Sequence, residues 1–128
     1  MKILLDTCTF LWILTDSSEL SPAARELFLD TGHEVFLSAA SAWEMSVKFT
    51  LGRLQFPEPP ERFIPAQRVR HGIDSLPLTE AAALYAHKLP THHQDPFDRM
   101  LICQAVEHEM LILTPDPLIA QYPVRTAW

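Results

Sequence analysis

The sequence predicts an α/β protein, a three-layer α/β/α sandwich built on a mostly parallel central sheet. Short apolar segments alternate with amphipathic segments that carry helix-start and helix-stop residues, which is typical of a parallel sheet covered on both faces. The chain has 128 residues, enough for one domain that buries roughly two-thirds of the surface its unfolded form exposes. We therefore expect a single domain over residues 1–128 that needs no disulfide.

Four apolar segments are predicted to be the strands, and capping residues delimit the helices between them. The strands are expected at residues 1–5, 34–37, 73–76 and 110–113. Ser21 is placed to cap one helix, Ser38 or Ser41 a second, and Thr79 a later one, while Gly52 ends the second. The predicted helices cover 22–29, 38–51, 61–70, 79–88 and 96–108, with short helical turns at 10–14 and after residue 117. The helix at 61–70 would bury Phe63, Ile64 and Val69.

The charge balance is acidic, with 10 Lys and Arg against 16 Asp and Glu and a formal net charge of −6. This charge argues against broad, non-specific nucleic-acid binding, which depends on clustered Lys and Arg. The objection weakens if several acids bind metal, because two divalent ions would add four positive charges and change −6 to −2.

Targeting signals are not recognisable in the sequence. The N-terminal segment MKILLDTCTFLW has an aspartate inside a short apolar run and no small-residue cleavage site, unlike a signal peptide. No run reaches the roughly 18 uninterrupted apolar residues of a membrane helix. Cys8 and Cys103 are far apart without metal-ligand spacing, which favours a reducing compartment. We expect a soluble, cytoplasmic protein without membrane association.

Two aspartates, Asp6 and Asp116, directly follow predicted strands. In open α/β sheets, ligands bind at the carboxyl ends of the strands, so Asp6 is interpreted as a site residue and Thr7 as a hydroxyl near it. Helix capping is the alternative for both aspartates, and for Asp116, which precedes a proline, it is the stronger one taken alone. Thr114 would place a second hydroxyl on the same side of the chain.

Glu44 lies in the apolar segment AASAWEMSV, where a carboxylate must find a partner or lose its charge. The alternative is an ordinary surface pair with Lys48, four residues on, worth roughly 0.3 to 0.5 kcal/mol. Three or more carboxylates in one place repel each other, and a divalent cation bound by oxygen ligands, Mg²⁺ or Mn²⁺, relieves the repulsion.

The segment HHQDPFDR at residues 92–99 is the densest in polar side chains. Asp95 before a proline is a good helix cap, so we assign the cap to Asp95 and metal binding to Asp98. Arg99 is a candidate phosphate contact, as is Lys48, and equally a partner for Asp95. His92 and His93 have no His or Cys partner at ligand spacing, so a zinc site is not predicted.

Four motifs together resemble, in order and spacing, the PIN-domain ribonucleases, specifically the VapC-type toxins of prokaryotic toxin–antitoxin pairs. They are LLDT at 4–7, SAWEMSVK at 41–48, HHQDPFDRML at 92–101 and LTPD at 113–116. The resemblance implies a PIN-like α/β/α fold with an acidic pocket that holds Mg²⁺ or Mn²⁺. By motif, Asp6, Glu44 and Asp98 match the three main metal-binding acids and Asp116 the fourth, with Thr7, Asp95 and Thr114 around them.

The implied activity is endonucleolytic cleavage of single-stranded or loop RNA by a metal-activated water. The implied partners are the RNA substrate, a small antitoxin protein and a second copy of the chain. Phe10, Leu11 and Trp12 are candidates for exposed contact surface, with core packing as the alternative.

Two other classes of function are weighed against this one. A receiver-type phosphoacceptor domain would also bind Mg²⁺, but it requires paired acids after the first strand and a late lysine, and Asp6 stands alone. A non-catalytic PIN-like binding module would have lost one of the acids, and all four are present.

Overall fold

The computed structural model describes residues 1–128 and contains one five-stranded sheet in which every neighbouring pair of strands is parallel. The strands lie in the order β3-β2-β1-β4-β5. Their bounds are β1 Lys2–Leu5, β2 Glu34–Ser38, β3 Asp74–Leu76, β4 Leu111–Leu113 and β5 Arg125–Ala127. The helices are α1 Thr7–Leu14, α2 Pro22–Leu29, α3 Ala39–Thr50, α4 Pro60–Arg70, α5 Glu80–Tyr85 and α6 Pro96–His108. The predicted α/β class is confirmed.

The sheet separates two hydrophobic cores, because alternate residues of a strand point to opposite faces. Ile3 and Leu5 of β1 pack into one core with residues of α1, α2 and α4. Leu4, between them, packs into the other core with residues of α5 and α6. All three are fully buried, so β1 is covered on both faces and the molecule has three layers.

The capping residues act as predicted. Ser21 accepts a hydrogen bond from the backbone N–H of Ala24, and Thr79 accepts one from that of Ala82. Of the two candidates for the cap of α3, Ser38 is the one that caps.

Two elements and one residue differ from the prediction. The helical turn expected at 10–14 is the longer α1, and β5 was not predicted at all. Val69, expected in the core, is 73% exposed, because it lies on the outer face of α4 while Ile64 faces inward. Phe10 is fully buried, and Leu11 and Trp12 pack against the same core, so core packing is confirmed for this segment. None of the helices is both long and apolar enough to cross a membrane.

The strand order places a topological switch between β1 and β4. The chain leaves β1 toward β2 and β3 on one side and returns to β4 and β5 on the other. Crevices at such a switch, outside the carboxyl ends of the strands, are the usual ligand sites of open parallel sheets. Asp6 follows β1 and Thr114 follows β4, so this edge of the sheet carries two of the predicted site residues.

Candidate metal centre

Asp6 occupies the N-cap position of α1, yet its side chain makes no capping hydrogen bond. Its Oδ2 instead accepts a hydrogen bond of 2.7 Å from the hydroxyl of Thr114. The residue is only 6% exposed. Burial is the main cause that raises the pKa of Asp6 above its usual value, and the charges of Glu44 and Asp116 raise it further. The side chain therefore does not cap α1, and its carboxylate is held by Thr114, at the end of β4.

Glu44 is buried on the inner face of α3, with 5% of its surface exposed. One carboxylate oxygen accepts from the Thr7 hydroxyl at 2.8 Å, and the other lies 2.5 Å from the ammonium of Lys48. The Thr7 hydroxyl is also 2.9 Å from that of Ser41. The hydrogen bond to Glu44 raises the pKa of Lys48, so the ammonium remains charged. The predicted pair with Lys48 exists, but the carboxylate in it is buried and oriented.

Asp95 caps α6 as predicted. Asp95 Oδ1 accepts from the backbone N–H groups of Phe97 and Asp98, at 2.8 and 3.2 Å, and so caps α6. The Asp98 carboxylate does not cap the helix, and its Oδ2 lies 2.9 Å from Nε2 of His93. Burial, followed by the charges of Asp6, Asp95 and Glu44, raises the pKa of Asp98 to about 7.

Asp116 serves two purposes at once. Its Oδ1 accepts from the backbone N–H of Leu118 at 2.8 Å, which starts the turn after β4. Its Oδ2 lies 3.1 Å from Nε2 of His93. The sequence treated capping and a site role as alternatives for Asp116. In the structure one carboxylate oxygen caps the turn and the other contacts His93.

His93 is the site residue that the sequence reasoning missed. It is 9% exposed, and its Nε2 lies 2.9 Å from Asp98 and 3.1 Å from Asp116. Its Nδ1 accepts from the backbone N–H of Asp95 at 3.2 Å, which leaves Nε2 as the donor to both carboxylates. The signal was present in the polar segment 92–99, but only other His or Cys residues were considered as partners.

Arg99 does not pair with Asp95, contrary to one of the two roles considered for it. Its guanidinium donates to the carbonyl oxygens of Ala86 and Pro90, at 3.0 and 2.8 Å, and to that of His93 at 3.2 Å. The Tyr122 hydroxyl donates to Pro90 and accepts from the backbone N–H of His93, both at 2.8 Å. Arg99 and Tyr122 thus hold the loop that carries His93 to the crevice.

We call the carboxylates of Asp6, Glu44, Asp98 and Asp116 the acidic cluster. The charges of Glu44 and Asp116 raise the pKa of Asp6, and those of Asp6 and Glu44 raise the pKa of Asp98, so the carboxylates share one electrostatic environment. The side-chain cation in contact with them is Lys48, and the Nε2 N–H of His93 donates to Asp98 and Asp116, so one cation faces four carboxylates. The ligand atoms of His93, Asp98 and Asp116 lie within 4.8 Å of one another. Asp6 and Glu44 are outside that closest group.

The chemistry of this donor set fits a hard divalent cation. Mg²⁺ and Mn²⁺ are bound by carboxylate oxygens, which the acidic cluster supplies without any thiolate. A cation there would also relieve the repulsion that raises the pKa of Asp6 and Asp98. The charges of the acidic cluster also act on Cys8, two residues after Asp6. Burial and the charges of Asp6, Glu44 and Asp98 raise the pKa of the Cys8 thiol to about 11.

Comparison with known proteins gives one family and one curated relative. The family described as PIN domain matches residues 3–124. Ribonuclease VapC16 of Mycobacterium tuberculosis is 37% identical to this chain over 57 residues. That match covers 44% of this chain and 40% of the relative, so it spans less than half the length of either protein.

Solved structures share the fold over nearly the whole chain at low sequence identity. A chain in the crystal structure of VapBC2 from Rickettsia felis, bound to a promoter DNA fragment, superposes with a TM-score of 0.73 at 11% identity, covering 99% of this chain and 98% of that one. DNA-bound VapBC from Salmonella typhimurium gives 0.69 at 18% identity, covering 99% and 97%. A toxin-antitoxin complex from Klebsiella pneumoniae gives 0.54 at 15%, covering 89% and 86%. At these identities the likeness establishes the fold.

Proposed function

The chain belongs to the PIN domain family, and we propose that it is a metal-dependent endoribonuclease that acts as the toxin of a toxin–antitoxin pair. The single observation that carries the proposal is the acidic cluster, whose charges raise the pKa of Asp6 and Asp98 and which has one side-chain cation, Lys48, in contact with it. A relative named as a ribonuclease supports the substrate class.

Asp6, Glu44, Asp98 and Asp116 would hold the ion, Mg²⁺ or Mn²⁺. When bound, such an ion lowers the pKa of a coordinated water toward neutrality and neutralises charge on a phosphate. No side-chain nucleophile is required, and the protein itself contributes position and charge.

The surrounding side chains fix the orientation of the carboxylates. The Thr114 hydroxyl holds Asp6, the Thr7 hydroxyl and Lys48 hold the two oxygens of Glu44, and Asp95 fixes the start of α6 on which Asp98 lies. Oriented groups of this kind around a metal site commonly contribute about 10- to 100-fold to affinity or activity.

The proposed protein partner is a small antitoxin, and a second copy of the chain is the proposed further partner. Structural neighbours named as VapBC and as a toxin-antitoxin complex support the first proposal. A cytoplasmic location and a single domain over residues 1–128 remain part of the same proposal.

The test is cleavage of structured RNA by the purified chain in Mg²⁺ or Mn²⁺, beside Asp6→Asn and Asp74→Asn prepared identically. Asp74 is an exposed carboxylate on the edge strand β3, so its variant controls for loss of one negative charge. We expect cleavage by the wild type and Asp74→Asn that EDTA abolishes, and none by Asp6→Asn.

Equal cleavage by all three proteins would indicate a contaminating ribonuclease. No cleavage by any of them, with Mn²⁺ binding detected by calorimetry in the wild type and Asp74→Asn but not in Asp6→Asn, would favour a non-catalytic metal-binding module.

A further inference from the structure

An aromatic pair, one ring exposed and the other half-buried, is adjacent in the chain to two members of the acidic cluster and belongs to neither hydrophobic core. Trp43 of α3 is 61% exposed, and its ring meets that of Phe97 of α6 edge to face, with centroids 5.0 Å apart and planes at 76°. Trp43 directly precedes Glu44, and Phe97 directly precedes Asp98. Because consecutive Cα atoms are about 3.8 Å apart, the backbone of the pair lies directly beside that of two members of the acidic cluster.

We propose that the Trp43–Phe97 pair is a stacking platform for an unpaired nucleobase of the RNA substrate, next to the phosphate presented to the acidic cluster. The proposal deepens the proposed function and rests on it for the identity of the ligand. Because the two rings are nearly perpendicular, each keeps at least one face that the other does not cover. Trp43 is also exposed to solvent, so a base can stack on its ring without separating the pair.

The surroundings of Trp43 favour a single base over a protein surface. The exposed residues that share its stripe of α3 are Ala39, Ser46 and Thr50, which are all small or polar. Trp43 is therefore the one large apolar side chain exposed on α3, whereas protein-interaction sites are marked by contiguous exposed apolar patches larger than a few hundred Å².

The acidic net charge of the chain also favours stacking over ionic contacts with RNA. A protein with a net charge of −6 cannot rely on broad attraction to phosphates, and the cation beside Glu44, Lys48, is already paired. Stacking on aromatic rings binds single-stranded nucleic acid without ionic contacts and tolerates any base. It would also select unpaired RNA, since the bases of a duplex have their faces covered.

The experiment compares wild type, Trp43→Ala and Trp43→Phe, with Leu84→Ala as a matched control for loss of an exposed apolar side chain outside the site. Leu84, on α5, is 64% exposed. Binding to a labelled single-stranded RNA of about 12 nucleotides is measured in EDTA, where the proposed cleavage does not take place. Cleavage of the same RNA is measured in Mg²⁺, and Mn²⁺ affinity is measured separately by calorimetry.

We expect Trp43→Ala to weaken RNA binding and raise KM roughly tenfold, with Trp43→Phe retaining most of the affinity. The kcat value, the Mn²⁺ affinity and the slope of log Kd against log salt should be unchanged, because the lost contact is not ionic. Trp43→Ala that binds and cleaves like Leu84→Ala would overturn the inference while leaving the proposed function intact.

Two further outcomes separate the hypotheses. Wild-type protein that binds RNA through Trp43 but never cleaves it would overturn the proposed function and support the platform. Unchanged RNA binding by Trp43→Ala, together with weaker association with the antitoxin, would assign Trp43 to a protein interface and overturn the inference.

Discussion

Asp98 is the carboxylate whose pKa is raised furthest, by burial and by the charges of its acidic neighbours. Because its pKa is raised to about 7, the ionised form is unfavourable without a cation, and Asp98→Asn removes that cost while keeping the side-chain shape. We expect Asp98→Asn to lower kcat/KM by about 100-fold or more and to leave the urea midpoint at pH 8 in EDTA equal to or above that of the wild type. An unfolded variant would mean that Asp98 is chiefly structural.

Cys8 offers a direct measure of the charge in the acidic cluster. Its thiol pKa of about 11 results partly from Asp6, Glu44 and Asp98, and only the thiolate reacts with alkylating reagents. We expect Asp6→Asn, or saturating Mg²⁺, to lower the pKa of the Cys8 thiol. Alkylation of Cys8 at pH 8.5, measured by mass spectrometry, should then be severalfold faster. Buried Cys103 is the internal control. If neither Asp6→Asn nor Mg²⁺ changed the alkylation rate of Cys8, the ion would not be bound by the acidic cluster.

The sequence predicted the carboxylates of the site better than the side chains around them. Asp6, Glu44, Asp98 and Asp116 could be proposed from strand ends and motifs. In the structure Asp98 and Asp116 lie with His93 in one group of ligand atoms, and the charges of Asp6 and Glu44 raise the pKa of Asp98. His93 could not, because its role depends on a loop conformation that Arg99 and Tyr122 impose from positions 6 and 29 residues away. Hydrogen bonds across such separations leave no periodicity for sequence analysis to detect.

At the scale of elements, the loop between α5 and α6 depends on one partly buried polar network. Arg99 and Tyr122 share the carbonyl of Pro90, and both contact the backbone of His93. We expect Arg99→Lys and Tyr122→Phe each to lower the free energy of unfolding by about 1–3 kcal/mol. Because they belong to one network, the double variant should cost less than the sum by at least about 0.5 kcal/mol.

Urea unfolding of the four proteins in this cycle provides the measurement. Hydrogen exchange of the His93 amide, which donates to Tyr122, reports the loop separately from global stability. Additive costs, or an amide as protected in Tyr122→Phe as in the wild type, would contradict the network.

The elements that sequence reasoning missed are those formed by tertiary pairing. β5, with the sequence Arg125-Thr126-Ala127, has no apolar run of its own and exists because it pairs with Leu111–Leu113 of β4. The first turn of α1 was missed because Asp6 and the threonines that follow are poor helix formers. Thr9 nevertheless fits there, since its hydroxyl donates to the carbonyl of Leu113 at 2.8 Å.

At the scale of the whole molecule, the fold places stability and function in opposition. Parallel strands with both faces covered could be predicted because their apolar runs are nearly continuous, as for Ile3, Leu4 and Leu5 in β1. The same arrangement buries Asp6 at the edge of the sheet and surrounds it with like charges. A metal-free form should therefore be less stable than a form with the charges balanced.

The pH dependence of stability tests this opposition. Since the pKa of Asp6 and Asp98 is raised on folding, the folded chain binds more protons than the unfolded chain between the usual carboxyl pKa and the folded value, about 7 for Asp98. Metal-free stability should then fall as pH rises through that window, by at most about 1.4 kcal/mol per pH unit for each proton. Asp98→Asn should flatten the profile, whereas Asp74→Asn should not.

Divalent metal should act in the opposite sense, because protons and Mg²⁺ compete for the same carboxylates. We expect Mg²⁺ to stabilise the wild type more at pH 8 than at pH 5.5. At a Mg²⁺ concentration 100 times the Kd, the metal raises the free energy of unfolding by about 2.7 kcal/mol. Urea unfolding at both pH values, in EDTA and in Mg²⁺, measures the free energy of unfolding in each of the four conditions. If Mg²⁺ stabilised Asp98→Asn as much as the wild type, the ion would not be bound by the acidic cluster, and the proposed ribonuclease would lose its metal centre.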